Sequence, residues 1–131
     1  MKSYTDLEQS KKLAEILPIE SADMYWSRCT ITDFGDGVLK VSYAVEPCNI
    51  SQFRNTKEDV PCWSLAALLN ILNSIDGWYP GIDAQVDDEN LWQICMFSYE
   101  TGSDISTAAL NKELVDTCYE VILKLKEKKI L

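Results

Sequence analysis

The chain has 131 residues, of which 47% are hydrophobic and 25% charged, a composition that supports a folded core and argues against intrinsic disorder. Its 12 basic and 21 acidic residues give a net charge of −9, which disfavours direct contact with a nucleic-acid backbone. Histidine is absent, so the sequence excludes serine–histidine and cysteine–histidine catalysis.

The first segment predicts an amphipathic helix over residues 5–17. Thr5 and Glu8 have the spacing of a capping box, and Pro18 ends the periodic run. Because this segment lacks the continuous apolar core of a secretory signal, we expect a cytoplasmic protein. No apolar run approaches the roughly 20 residues that cross a bilayer, so we expect no membrane partner.

The next segment predicts two strands, at residues 24–32 and 38–46, where apolar and polar side chains alternate. A glycine-containing hairpin turn at 33–37 joins them. Residues 47–60 show neither a helical nor a strand period, so we expect a long loop there.

The most hydrophobic run, residues 61–75, predicts a central helix that is apolar almost all round and lies between other layers. We expect Leu68 and Leu69 to be almost fully buried in it. A break at 76–81 precedes two more strands, at 82–87 and 91–99, of which the second is apolar on both faces and should be the most buried.

A polar loop at 100–110 leads to a last helix that starts at either Ser106 or Asn111. Its apolar stripe consists of Leu114, Val115, Cys118, Val121, Ile122 and Leu125. The element order α-β-β-α-β-β-α predicts an α+β fold with one antiparallel four-stranded sheet and three helices packed mainly on one face. We expect a single domain over residues 1–131.

Cysteine usage indicates neither a disulfide framework nor zinc binding. The five cysteines are odd in number, irregularly spaced and without a Cys-x-x-Cys pair. Cys62 is the strongest candidate for a reactive thiol because it lies near the expected helix N-terminus. Because the chain has no histidine to act as its base, we predict no catalytic residue. We also predict no cofactor.

Acidic residues are concentrated between Glu58 and Asn111, where nine acids occur and no lysine or arginine. Their spacing does not match a calcium loop, so we predict no metal site. Exposed aromatic residues and acids instead suggest a candidate interaction surface, formed by Trp26, Trp78, Asp83, Asp87, Asp88 and Glu89.

Three segments carry a resemblance to known sequences: LAEILPIESADM at 13–24, PCWSLAALL at 61–69, and VDTCY at 115–119 continuing to 131. They resemble segments of small uncharacterised proteins carried by prophages and other mobile elements of gut bacteria. The resemblance implies a small cytoplasmic accessory protein of a mobile element. That family has no assigned activity, so no functional residue follows from the resemblance.

These observations favour a non-enzymatic protein-interaction module whose partner is a protein, either another protein or a second copy of the chain in a homodimer. One alternative is an acidic mimic that inhibits a host nucleic-acid-binding protein. Another is a ligand-binding protein or enzyme in which the N-terminal donors of the central helix, next to the 47–60 loop, bind an anion.

Overall fold

The computed structural model of the protein describes residues 1–32, 35, 39–53, 59–84, 90–102, 104–106 and 113–131. Three α-helices occur in these residues: α1 (Leu7–Ala14), α2 (Leu65–Asn73) and α3 (Leu114–Glu127). The strands are β1 (Met24–Trp26), β2 (Arg28–Thr32), β3 (Leu39–Tyr43), β4 (Cys48–Asn49), β5 (Val60–Cys62), β6 (Trp78–Ala84), β7 (Trp92–Ser98) and β8 (Asp104–Ser106). Short 3₁₀ turns lie at Ile19–Ser21 and Ile50–Gln52.

The strands form three antiparallel sheets, in the orders β4-β1-β5, β2-β3 and β6-β7-β8. The predicted α+β class is confirmed, but the prediction of one four-stranded sheet is wrong. The segment 24–32 is divided at Ser27, so its two halves pair with different partners. The partners of β1 are β4, from the stretch expected to be a loop, and β5, from the stretch expected to start the central helix.

The chain divides into two compact units. The N-terminal unit is Asp6–Trp63, and the C-terminal unit is Met1–Thr5 together with Ser64–Leu131. Each sheet lies within one unit, with β6-β7-β8 in the C-terminal unit. The single domain over 1–131 stays a prediction.

In the N-terminal unit, α1 begins one residue later than the predicted capping box. Gln9 N–H donates to the Asp6 carboxylate at 2.8 Å, and Asp6 N–H donates to the Gln9 side-chain oxygen at 3.1 Å. The prediction of this box at Thr5 and Glu8 is therefore wrong, although the spacing is the same. The helix ends at Ala14 and buries Leu13.

Two tryptophans complete the core of the N-terminal unit, and each has a serine partner. Trp26 Nε1 donates to Ser10 Oγ at 3.1 Å, and Trp63 Nε1 donates to Ser21 Oγ at 2.9 Å. Both rings are buried. Their hydrogen bonds offset the loss of water around the indole N–H, so both tryptophans stabilise the core.

In the C-terminal unit, α2 begins at Leu65, later than the predicted 61. Residues Val60–Cys62 are held extended by pairing with β1, and Ser64 caps the helix by accepting the Ala67 N–H at 3.1 Å. Leu68 and Leu72 are fully buried, but Leu69 is half-buried. The prediction that Leu69 is almost fully buried is therefore wrong.

The strand β6 begins at Trp78, inside the predicted break. It pairs with β7 from Trp78 opposite Ser98 to Ala84 opposite Trp92. The central strand β7 contacts α3, and β6 contacts α2. Within β7, Ile94 and Met96 on one face are fully buried, whereas Cys95 and Phe97 on the other face are half-buried, so the strand is covered fully on one face only.

The last helix, α3, begins at Leu114, and its predicted apolar stripe is buried throughout. Ser106 lies in β8, so it does not cap this helix. Asn111 lies outside the described residues, and the N-cap of α3 is Glu113, so the prediction of a cap at either Ser106 or Asn111 is wrong. The strand β8 was not predicted, because its three residues lie in a polar stretch without a visible period.

Candidate functional site

The sheet β6-β7-β8 has a buried face and an open face. Even-numbered residues of β7, such as Ile94 and Met96, lie on the face that the helices cover. Odd-numbered residues alternate to the other face, where Tyr79 on β6 is 38% exposed and Phe97 opposite it is half-buried. The open face therefore presents aromatic side chains to solvent.

Three rings form a continuous cluster on this face, and we call Tyr79, Phe97 and Tyr99 the aromatic triad. The ring centroids of Tyr79 and Phe97 lie 5.3 Å apart with planes 26° from parallel, and those of Tyr79 and Tyr99 lie 4.6 Å apart. Tyr99, immediately after β7, is 73% exposed. Such ring pairs add about 0.5–1.5 kcal/mol beyond area burial, so the cluster has a defined geometry.

Gly81 makes room for the triad on β6. A Cβ at this position would lie 2.7 Å from Cε2 of Phe97. The ring of Phe97 therefore lies over the glycine backbone of the neighbouring strand, which a larger residue would obstruct.

Hydrogen bonds hold the turn that follows the triad. Tyr99 N–H donates to the Gly77 carbonyl at 3.0 Å, joining the start of β6 to the end of β7. The Ser98 hydroxyl accepts the N–H groups of Glu100 and Thr101, each at 3.3 Å. Gly77 has a φ of +81°, a conformation that glycine adopts without strain. These bonds fix the backbone around Tyr99.

Beside Tyr99 there is an open cleft with a volume of about 550 Å³. It is lined by Asp76, Gly77, Trp78, Ser98, Tyr99, Glu100 and Thr101. Two acidic and two aromatic residues thus line one cleft, and the sequence has no lysine or arginine from 58 to 111. The acidic lining therefore favours positively charged groups.

The free edge of the sheet, on β6, is a poor site for strand addition. Because Gly77 and Tyr99 form a hydrogen-bonded pair, even-numbered residues of β6 direct their backbone groups away from β7. Trp78 N–H already donates to the Ile75 carbonyl, and Pro80 has no N–H. The first two outward positions therefore offer no free donor.

A second concavity, of about 450 Å³, lies between α2 and β6. Its lining is Ala66, Leu69, Asn70, Asn73, Pro80 and Ile82, none of which is charged. This groove explains why Leu69 is half-buried. Without a charged or convergent polar group, its lining specifies no ligand class.

The predicted surface residues are only partly brought together. Trp78 lines the cleft and Asp83 is exposed on β6. Trp26 is buried in the N-terminal unit, so its predicted exposure is wrong: its indole N–H is satisfied by a serine on α1. Asp87, Asp88 and Glu89 lie outside the described residues.

Sequence reasoning missed the aromatic triad and Glu100. The available signal was the alternation of Tyr79, Gly81 and Asp83, which continues the strand period upstream of 82. Pro80 and Gly81 concealed it because both residues commonly interrupt strands. On an edge strand both are tolerated when the proline nitrogen faces outward.

The acidic residues do not all lie in one unit. In the N-terminal unit, the Asp59 carboxylate accepts the Arg28 N–H at 3.4 Å. Asp76, Asp83 and Glu100 belong to the C-terminal unit. The nucleic-acid mimic stays a prediction.

Cys62 and Cys118, the fully buried thiols among the side chains that the structure describes, have no features of a nucleophilic site. Cys62 lies in β5, before the helix. Burial raises the pKa of the Cys118 thiol to about 12, so Cys118 stays protonated at neutral pH. Inert thiols of this kind act as small core residues.

Two of the first three backbone N–H groups of α2 already donate hydrogen bonds within the C-terminal unit. Leu65 N–H donates to the Ser3 carbonyl at 2.9 Å, and Ala67 N–H donates to Ser64 Oγ at 3.1 Å. An anion at this helix end would compete with both acceptors, so the structure lends little support to the predicted anion site.

Among the described residues, no group of three or more histidine, cysteine or acidic side chains is placed to hold a metal ion. None of the helices that the structure describes is long and apolar enough to cross a membrane. Comparisons of the chain with protein-family models, curated proteins and solved structures find no match.

Proposed function

We propose that this chain is a non-enzymatic protein-interaction module, a cytoplasmic accessory protein of a mobile element, whose partner binds the open face of the β6-β7-β8 sheet. The observation that carries the proposal is the aromatic triad. Tyr99 is 73% exposed although its ring contacts that of Tyr79, with centroids 4.6 Å apart, and its backbone is held by a hydrogen bond. A rigid and exposed aromatic side chain loses little conformational freedom when a partner covers it.

The distribution of exposed apolar side chains supports this location. In the part of the chain that the structure describes, five large hydrophobic residues are exposed. Two of them, Tyr79 and Tyr99, belong to the triad, whereas Ile82 lies on the opposite face of β6 and lines the groove beside α2. Tyrosine is enriched among the residues that dominate binding energy in protein interfaces, so the triad is the expected centre of contact.

Charge indicates the chemistry of the partner. Asp76 and Glu100 line the cleft beside Tyr99, and Asp83 lies further along β6, while this region of sequence lacks basic residues. A partner with a basic surface complements these acids. Pairing the same face with itself in a second copy would bring like charges together, which costs binding energy.

The contact is made by side chains rather than by strand addition. The outward positions Trp78 and Pro80 lack a free backbone donor. The carbonyl groups of an incoming strand would find no donor at that end of β6. A basic surface that covers the rings is therefore the better-supported geometry.

A site-specific crosslinking experiment tests this proposal. A photoreactive phenylalanine analogue replaces Tyr99 in one variant and Val45, which is 94% exposed in the N-terminal unit, in the control. In cells that produce the protein naturally, we expect a discrete protein adduct from position 99 and none from position 45. The identified protein, once purified, should bind Tyr99→Ala about tenfold or more weakly than wild type.

Identical adducts from both positions would contradict the proposal. So would a purified partner that binds wild type, Tyr79→Ala and Tyr99→Ala with equal affinity. Adducts only to a second copy of the chain would overturn the choice of a basic partner, and sedimentation velocity would then show a dimer.

A further inference from the structure

We infer that the cleft beside Tyr99 binds the guanidinium group of an arginine carried by the partner. This inference rests on the proposed function and adds the chemical group that the site recognises. The cleft is lined by two acidic residues, Asp76 and Glu100, and by two aromatic residues, Trp78 and Tyr99. It is one of the two concavities described on the C-terminal unit, and the only one of that pair with charged residues.

The lining matches a cation that is also planar. Aromatic faces attract cations, with tryptophan and tyrosine among the strongest rings, and carboxylates accept the N–H groups of guanidinium in pairs. Arginine stacks on aromatic rings and presents five donors in a fixed fork, whereas lysine is a compact, strongly hydrated charge. A lining that contains both acidic and aromatic residues therefore favours arginine.

The cleft is formed before any partner arrives. Tyr99 N–H bonds to the Gly77 carbonyl, which joins two of the lining residues, and the Ser98 hydroxyl holds the backbone of Glu100 and Thr101. Binding then requires little ordering of the protein backbone, which preserves affinity. A volume of about 550 Å³ also exceeds one side chain, so it has room for the arginine and part of its own backbone.

The same lining rejects other ligand classes. An anion would face two carboxylates without a lysine or arginine from this region to offset them. A neutral apolar group would contact the rings but leave the carboxylates without a counter-charge. A cationic partner uses both kinds of residue.

Peptide titration followed by amide NMR tests this inference. The probes are acetyl-Gly-Gly-Arg-Gly-Gly-amide, the same peptide with citrulline, which is a neutral near-isostere of arginine, and the same peptide with lysine. We expect the arginine peptide to shift the amides of Gly77, Tyr99 and Glu100. Citrulline should weaken binding about fivefold or more, because it removes the charge but keeps the shape, and lysine should give intermediate affinity.

Matched variants locate the effect. Glu100→Gln should weaken arginine binding, whereas Glu46→Gln, at an exposed acid of the N-terminal unit, should leave it unchanged. Tyr99→Phe, which keeps the ring, should bind more tightly than Tyr99→Leu. These positions are exposed, and circular dichroism would verify that each variant is folded.

Equal affinity for the arginine and citrulline peptides would overturn the inference. Equal losses from Glu100→Gln and Glu46→Gln would do the same, since they would indicate a diffuse attraction to net negative charge. Either result would leave the proposed function standing if crosslinking at position 99 still captured a specific partner. Loss of that crosslink would instead remove the proposed function.

Discussion

Adjacent leucines on α2 have different environments. Leu68 and Leu72 are four residues apart, share one helix face and are fully buried. Leu69 is rotated by about 100° from Leu68, because a helix has 3.6 residues per turn, and it lines the groove beside β6. Neighbouring residues of this helix therefore differ in how deeply their side chains are buried.

This difference predicts unequal costs of truncation. Leu68→Ala should lower the free energy of unfolding by about 2–5 kcal/mol, through lost burial and the cavity left behind. Leu69→Ala should cost clearly less, because its side chain already contacts solvent. Lys126→Ala, an exposed control on α3, should change stability by no more than about 0.5 kcal/mol. Urea unfolding measures all three, and equal losses at positions 68 and 69 would be incompatible with this placement.

At the scale of the element, β6 is an edge strand that combines an exposed aromatic side chain with a protected backbone. Edge strands with free donors and acceptors can pair with other chains. Pro80 removes one outward donor at the residue next to Tyr79. The strand can therefore present an apolar face without inviting strand pairing.

We predict that Pro80→Val promotes self-association. Valine restores an outward N–H in a strand-forming residue, and one added hydrogen bond of about 1 kcal/mol corresponds to roughly fivefold tighter pairing. Ala84→Val is the control, because it adds apolar bulk at the other end of β6 without a new N–H. Sedimentation velocity over a concentration series compares the two variants. A Pro80→Val protein that associates no more than Ala84→Val would show that the edge is protected by something other than proline.

At the scale of the whole molecule, the first five residues belong to the C-terminal unit although they precede the N-terminal one. Lys2 N–H donates to the Glu113 carboxylate at 2.8 Å, and its Nζ lies 2.7 Å from the Asp116 carboxylate. The Ser3 carbonyl accepts the Leu65 N–H. This short segment therefore joins the starts of α2 and α3.

We predict that deleting residues 2–4 destabilises the C-terminal unit by about 2–4 kcal/mol, given roughly 1 kcal/mol for each of these hydrogen bonds. Amides in the first turn of α2 should exchange with deuterium faster. Lys2→Met is the control, because it removes only the partly exposed ion pair with Asp116 and should cost at most about 1 kcal/mol. Unchanged exchange at Leu65 in the deletion variant would show that the Ser3 carbonyl does not stabilise this helix.

Local patterns predicted many elements but not their arrangement. The apolar stripe of α3 was predicted residue by residue, because a 14-residue helix repeats its period several times. In contrast, β8 and β4 contain three and two residues, too few to show an alternation. The start of α2 was misplaced because Pro61 and Cys62 are apolar, while their pairing with β1 is a non-local interaction.

The candidate site was likewise predicted only in part from the sequence. Trp78 and the acidic character of the region were predicted from the sequence, and Trp78 does line the cleft. Trp26 was misassigned because alternation shows which side chains of a strand share a face. It does not show which of the two faces other elements cover. Its partner, Ser10, is 16 residues away and on a helix.

The sequence by itself determined the α+β class, the acidic charge, the absence of histidine and the positions of the long periodic elements, since each depends on composition or on neighbours within a few residues. Only the tertiary structure decided which strands pair, which leucine of α2 is buried and which rings form the triad. Those outcomes depend on contacts between segments far apart in the chain. The period of one segment does not specify the partner that covers it.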